Sequence, residues 1–143
     1  MFYYYAMDMF GRVPLVLSSA EQLHSSLFQG QTDRSSIFQF VFLELQQVLP
    51  SLPDQHSNKE GNYYGRITQP VVNFLLAKLA LNAEIYMYDD WTQSYASRPK
   101  GSDIHFSVPA SDASLRNGDK VDCRKLNAWE TCIFYCNRLA DEG

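Results

Sequence analysis

The sequence predicts an α+β protein of a single domain, in which a small, mostly antiparallel sheet packs against about four helices. Three observations support this class. The chain has 143 residues, a common length for one domain, and 45% of them are hydrophobic. Residues 71–81 are apolar around nearly the whole circumference of a helix, which predicts a buried central helix. Residues 83–88 and 103–108 alternate with the two-residue period of a strand.

The central helix has a clear beginning and end in the sequence. Thr68 is a suitable capping residue, and Pro70 fits the first turn, where amides have no partner within the helix. Between 71 and 81 the polar side chains are Asn73 and Lys78. Eleven residues cover roughly 16 Å, about half of a bilayer core, so the pattern favours a core helix over a membrane span. Asn82 is predicted to end the helix.

Two strands and a helix are predicted before residue 31. Phe2–Phe10 is rich in aromatic residues, which predicts a strand, and residues 13–17 predict a second, shorter one. Ser18 and Glu21 have the spacing of a capping box, and Gly30 is a natural stop, so a short helix is expected between them.

Residues 34–49 predict a longer helix that Asp33 caps and Pro50 ends. Phe38 and Phe42 widen its apolar face. We expect this face to lie in the core. The alternative is an exposed face through which the protein self-associates.

The chain around and after the central helix alternates loops with short elements. Residues 51–62 predict a loop, 63–67 a brief strand and 92–102 a second loop. The strand at 103–108 is expected to pair with 83–88. Its alternation places His105 on the more exposed side.

The C-terminal region predicts a turn and a last helix. Asn117 and Gly118 predict the turn. The helix begins at Asn127, whose spacing to Glu130 resembles a capping box, and frays near Asp141. Its buried face is expected to carry Trp129, Cys132, Ile133 and Cys136.

Charge and composition exclude some function classes. The hydrophobic content rules out a disordered chain. The net charge is −4, and the sequence contains no run of Lys and Arg, so direct nucleic-acid binding is not expected. An acidic surface suits a basic protein partner, although ordinary solubility also explains the charge.

The cysteines favour a reducing compartment. The sequence has an odd number of them, Cys123, Cys132 and Cys136, all near the C-terminus, which argues against a secreted disulfide framework. The first residues lack the basic and apolar regions of a signal peptide. We therefore expect a cytoplasmic protein that does not bind a membrane.

The sequence contains few signs of catalysis. Cys132 and Cys136 are one helical turn apart, which is not the spacing of a zinc knuckle, and buried thiols explain them better. No nucleotide, metal or hydrolase motif is present, so no cofactor, metal or catalytic residue is expected. A nucleophilic pair of Cys123 and His105 remains an alternative.

One cluster, which we expect to be exposed, combines acidic and aromatic side chains where the strand at 83–88 ends. Aromatic anchors beside charged groups are typical of interface hot spots, and carboxylates attract the Lys and Arg residues of a partner. The alternative is a strand end whose Trp folds back over the core. The predicted partner-binding residues are Tyr86, Tyr88, Asp89, Asp90, Trp91 and Tyr95.

These observations favour a non-catalytic binding protein. It would inhibit a basic partner by occlusion, as an immunity protein neutralises a toxin or nuclease. A small enzyme or ligand-binding protein with a tyrosine-lined pocket is one alternative, and a self-associating structural protein is another. The sequence does not determine the oligomeric state.

Overall fold

The fold combines four longer helices, one of them central and buried, with a small hairpin, and it confirms the α+β class. The computed structural model describes residues 1–17, 30–109 and 123–141. Within these ranges the strands are β1 (His105–Pro109) and β2 (Cys123–Asn127), which pair antiparallel. The helices are α1 (Phe2–Phe10), α2 (Arg34–Val48), α3 (Gln69–Leu81), α4 (Ala83–Tyr86) and α5 (Ala128–Asp141). Short 3-10 turns occupy Leu49–Ser51 and Tyr95–Ser97.

Helix α3 is the predicted central helix, and its buried position is confirmed. Thr68 is its N-cap residue and Pro70 lies in its first turn. Most of its side chains are buried, including the polar Asn73, while Phe74, Lys78 and Leu81 form a narrow exposed strip. A helix with such a narrow exposed strip must pack against other elements on several sides. Helix α5 supplies the most extensive cover.

Helix α5 begins as the sequence predicts but buries a different face. Asn127 accepts a hydrogen bond from the Glu130 amide at 2.9 Å, which is the expected cap. The side chains buried against the core are Ala128, Thr131 and Tyr135. The predicted face is wrong, because Trp129, Ile133 and Cys136 are exposed and Cys132 is half-buried. Thr131 can be buried because its hydroxyl donates to the Asn127 carbonyl at 2.7 Å.

The prediction of two N-terminal strands is wrong. Phe2–Phe10 is helix α1, which packs on α2 and buries Tyr4 and Met7. In the segment at 13–17, Val13 makes an isolated bridge with Thr32. A strand needs a neighbouring strand to bond its backbone N–H and C=O groups, whereas a helix such as α1 bonds them internally. Tyr3 then fixes the following segment, since its hydroxyl bonds both the carbonyl and the amide of Val16.

Helix α2 confirms the prediction for residues 34–49, with Asp33 as the N-cap residue. Phe38 and Phe42 are fully or almost fully buried, and they pack against Phe106 of β1. The expected core position is therefore confirmed. These two rings do not form the exposed face that the self-association alternative requires.

Two further strand predictions are wrong. Helix α3 ends at Leu81 with Asn82 as its C-cap residue, as predicted. The backbone of Asn82 has a φ of −98°, and the chain then forms α4 rather than a strand at 83–88. Residues 63–67 form turns. The strand expected at 103–108 exists as β1, with His105 exposed as predicted, but it pairs with β2. The predicted helix from Ser18 and the turn at Asn117 and Gly118 lie outside the described residues.

Gly101 lies against the ring of Trp129. A Cβ atom at this position would be 2.3 Å from Trp129 Cε2. The backbone has little room to move, because the Gly101 amide donates to Glu84 and its carbonyl accepts from the Ala128 amide. We expect Gly101→Ala to lower the free energy of unfolding by about 1–3 kcal/mol, as measured in urea.

Gly30→Ala is the matched control, because no atom lies within 4 Å of its added Cβ. We expect a change within about 0.5 kcal/mol for this variant. Adding Trp129→Ala should remove most of the cost of Gly101→Ala. An equal cost with and without the Trp129 ring would contradict the steric explanation.

Candidate functional site

Trp91 is exposed to solvent, but contacts on one face of its ring hold it in place. Its side chain is 60% exposed, and the Arg34 guanidinium carbon lies 4.5 Å from its ring centroid. Arg34 itself is only 8% exposed and donates to the Ile85 carbonyl at 3.1 Å. A desolvated cation–π contact of this kind contributes on the order of 2 kcal/mol. Trp91 therefore presents one covered and one open face.

Tyr88 joins Trp91 to Tyr95. Its ring makes edge contacts with both, at centroid distances of 5.2 Å to Trp91 and 6.2 Å to Tyr95. The Tyr88 hydroxyl donates to the Gln93 carbonyl at 2.6 Å, which holds the intervening loop. Tyr88 is buried and Tyr95 is exposed. Three of the predicted site residues thus form one aromatic cluster with a buried centre.

The two carboxylates are exposed, and each also has a local structural role. Asp89 accepts from the Ser35 amide at 3.1 Å and from the Ser35 hydroxyl, so it caps the first turn of α2 from a distant part of the chain. Asp90 accepts from the amide and the hydroxyl of Thr92, and these bonds lower the pKa of the Asp90 carboxyl. Asp90 is therefore ionised at neutral pH, and hydrogen bonds fix both acids in position.

Tyr86 belongs to the core rather than to the exposed cluster. It is 4% exposed, and its ring lies 5.5 Å from that of Phe38. Its hydroxyl donates to Asp8 Oδ1 at 2.6 Å. Burial, together with this bond, raises the pKa of Tyr86. The expectation that Tyr86 is exposed is wrong, because residues 83–86 form a helix that turns this side chain inward.

Helix α1 adds two site residues that the sequence reasoning missed. Met9 and Phe10 are strongly exposed at its C-terminal end. They face Trp91 across a concavity of about 410 Å³, which Arg34 also lines. The sequence did not reveal these residues because α1 has too few polar residues to show a helical period. Asp8 is its one charged residue.

A clamp next to the cluster holds the loop that carries Tyr95. Glu84 accepts from the Gly101 amide at 2.8 Å and from Arg98 Nε at 2.9 Å. The Arg98 guanidinium carbon lies 4.3 Å from the Tyr95 ring centroid. The Gly101 amide and the Arg98 side chain lower the pKa of Glu84. Both ends of this loop are therefore tied to α4.

The nucleophilic pair considered from the sequence is not assembled. In the hairpin His105 pairs with Asn127, and Cys123 pairs with Pro109. Four positions along a strand separate the two by roughly 13 Å at about 3.3 Å per residue. Burial also raises the pKa of Cys132 to about 11, which keeps that thiol protonated at neutral pH. No group of three or more potential metal ligands occurs in the described parts of the chain.

A groove of about 320 Å³ lies between α2 and β1. The side chains that line it include Phe42, Leu43, Met87, Ile104 and Phe106. Among the described residues, no tyrosine is part of this lining. The groove therefore differs from the tyrosine-lined pocket that the ligand-binding alternative expects.

Comparisons with known proteins identify no relative. No family model matches the chain, and no curated protein or solved structure matches it. In residues 1–17, 30–109 and 123–141, no helix has both the length and the apolar character needed to cross a bilayer. The interpretation of the site therefore depends on its own geometry.

The Glu84 clamp makes stability depend on pH. Because its folded-state pKa lies below the ordinary value of 4.5, the carboxylate stabilises the fold above that pH. This contribution is lost as the pH falls through the folded-state pKa. We expect Glu84→Gln to lower the thermal midpoint at pH 7, and the difference from wild type to shrink below about pH 4.5.

Glu44→Gln serves as the control, because Glu44 is exposed on α2. Its thermal midpoint should follow the wild type across the pH range. A Glu84→Gln difference that stays constant from pH 7 to pH 3 would show that the charge of Glu84 is unimportant.

Proposed function

We propose that this protein is a non-catalytic binding protein whose recognition surface is centred on Trp91. The observation that carries the proposal is the exposed Trp91 ring held between Arg34 and Tyr88. Exposing a large aromatic side chain in water is unfavourable, and fixing it in one orientation reduces the entropy lost on binding. Rigid aromatic anchors of this kind dominate the energetics of protein interfaces.

The surroundings of Trp91 give the surface the composition of an interface. Met9, Phe10 and Tyr95 add exposed apolar area on either side. Asp89 and Asp90 lie on the same loop as Trp91. The proposed partner-binding residues are therefore Trp91 and Tyr95 as aromatic anchors, with Tyr88 supporting them from below.

The charges favour a basic partner. Within the described residues the salt bridges join Arg12 to Asp33 and Arg98 to Glu84, so Asp89 and Asp90 have no cationic partner within 4 Å. Unpaired surface carboxylates attract Lys and Arg residues and raise the association rate at low salt. The net charge of −4 acts in the same direction.

The activity we propose is inhibition by occlusion, in the manner of an immunity protein that neutralises a basic toxin or nuclease. The absence of an assembled nucleophile–base pair at Cys123 and His105 supports binding over catalysis. Three free cysteines suit a reducing cytoplasm, which is the compartment we propose.

The test compares two baits that differ in which exposed tryptophan is removed. Tagged wild type, Trp91→Ala and Trp129→Ala are used to capture proteins from the native host at low and at high salt. We expect wild type and Trp129→Ala to retain a basic protein in stoichiometric amount. High salt should weaken its binding to both baits. With that protein purified, Trp91→Ala should bind it with about 2 kcal/mol less affinity, the loss typical of a hot-spot residue.

Trp129 is the matched control, because it is the other tryptophan of the chain, is also exposed and lies on α5. An equal affinity of Trp91→Ala and wild type for the captured protein would remove the proposed site. A partner lost with Trp129→Ala would instead place the binding surface on α5.

A further inference from the structure

Strand β1 has one edge that β2 does not cover. The side-chain amide of Gln46 donates to the Ser107 carbonyl at 2.9 Å, so this carbonyl points away from β2 toward α2. In an antiparallel pair, alternate residues direct both backbone groups to the same side. His105 and Pro109 therefore share the outward direction of Ser107. Pro109 fits this assignment, because it has no N–H to place on an uncovered edge.

The outward backbone groups of His105 open into the groove between α2 and β1. In the described parts of the chain, neither its amide nor its carbonyl bonds to another element. The amide is a hydrogen-bond donor and the carbonyl is an acceptor, and the two lie side by side. A ligand that presents an adjacent acceptor and donor would satisfy both of them at once.

The groove next to this edge is apolar and has aromatic walls. The rings of Phe42 and Phe106 stack with centroids 4.3 Å apart. Leu43 is 54% exposed at the rim, and Met87 and Ile104 add to the apolar lining. Gln39 and Gln46 of α2, with His105 and Ser107 of β1, are the polar residues that line the groove. A groove of about 320 Å³ with aromatic and aliphatic walls and polar groups on both α2 and β1 has the size and composition of a small-molecule site.

The edge is too short for an added peptide strand. Gln46 already occupies the Ser107 carbonyl, and Pro109 supplies no donor. His105 is the one outward residue of β1 with both backbone groups available. Strand addition depends on several successive main-chain bonds, whereas a small ligand needs a single pair.

We propose that this groove is a binding site for a planar aromatic lactam or a heteroaromatic molecule with the same donor–acceptor edge. The lactam carbonyl accepts from the His105 amide, and the lactam N–H donates to the His105 carbonyl. The aromatic ring lies in the apolar groove against Phe106 and Leu43. The site is independent of the Trp91 surface and of the binding function proposed for it.

The test uses isocarbostyril, a benzene-fused lactam, and its N-methyl derivative as probes of the isotopically labelled full chain. Amide NMR follows a titration into the millimolar range, the affinity expected for so small a molecule. We expect the largest shifts at the amides of His105 and Ser107. N-methylation should weaken binding by about tenfold, because it removes the donor and obstructs the pair.

Leu43→Lys and Leu81→Lys form a matched pair, since these leucines are 54% and 53% exposed on α2 and α3. A lysine at 43 crosses the groove and should weaken isocarbostyril binding by about tenfold, whereas a lysine at 81 should leave it unchanged. The proposal is overturned if His105 shows no shift, if both probes bind equally, or if Leu43→Lys binds like wild type.

Discussion

The structure depends on the requirement that α3 be covered on nearly every side. Buried apolar surface contributes roughly 25 cal/mol per Å² to folding, so a helix that is apolar nearly all round is stable only when other elements cover most of its surface. Helix α5 supplies the largest part of this cover, and α2 packs on another side. The buried hydroxyl of Thr131 is satisfied locally, because it donates to the Asn127 carbonyl. The hairpin continues directly into α5, so its position follows from the same packing.

The same core fixes the surface that carries Trp91. Because a second short helix, α4, follows directly after Asn82, Tyr86 turns into the core and the loop after Tyr88 lies at the N-terminus of α2. Two contacts then join this loop to α2. Asp89 of the loop accepts from the Ser35 amide of α2, and Arg34 of α2 packs against the ring of Trp91. An aromatic ring held by buried groups on one face is already ordered for contact on the other. The proposed interface is thus a consequence of how the core is closed.

The sequence predicted the elements with a strong helical signal and missed those whose signal is ambiguous. Thr68 and Pro70 locate the start of α3, Asp33 that of α2 and Asn127 that of α5, because residue preferences at a helix start are local. The Asn127 side chain makes its cap hydrogen bond, whereas Thr68 and Asp33 occupy the N-cap position without one. Phe2–Phe10 is apolar on every side, so neither period can be recognised, and tertiary packing on α2 decides for helix. Strand pairing depends on distant residues and could not be read locally. The site cluster was found from composition, but Met9 and Phe10 were not, because their place beside Trp91 requires α1 to be a helix.

The central claim is that Trp91 is exposed and yet immobile, and time-resolved fluorescence anisotropy tests it without any partner. The chain has two tryptophans, so Trp129→Phe leaves Trp91 as the one emitter of this type. If Arg34 and Tyr88 hold the ring, its anisotropy should decay almost entirely with the tumbling of the whole protein. Replacing Arg34 with Leu in the same background should introduce a fast local decay. A dominant sub-nanosecond decay with Arg34 in place would show a freely rotating side chain and contradict the claim.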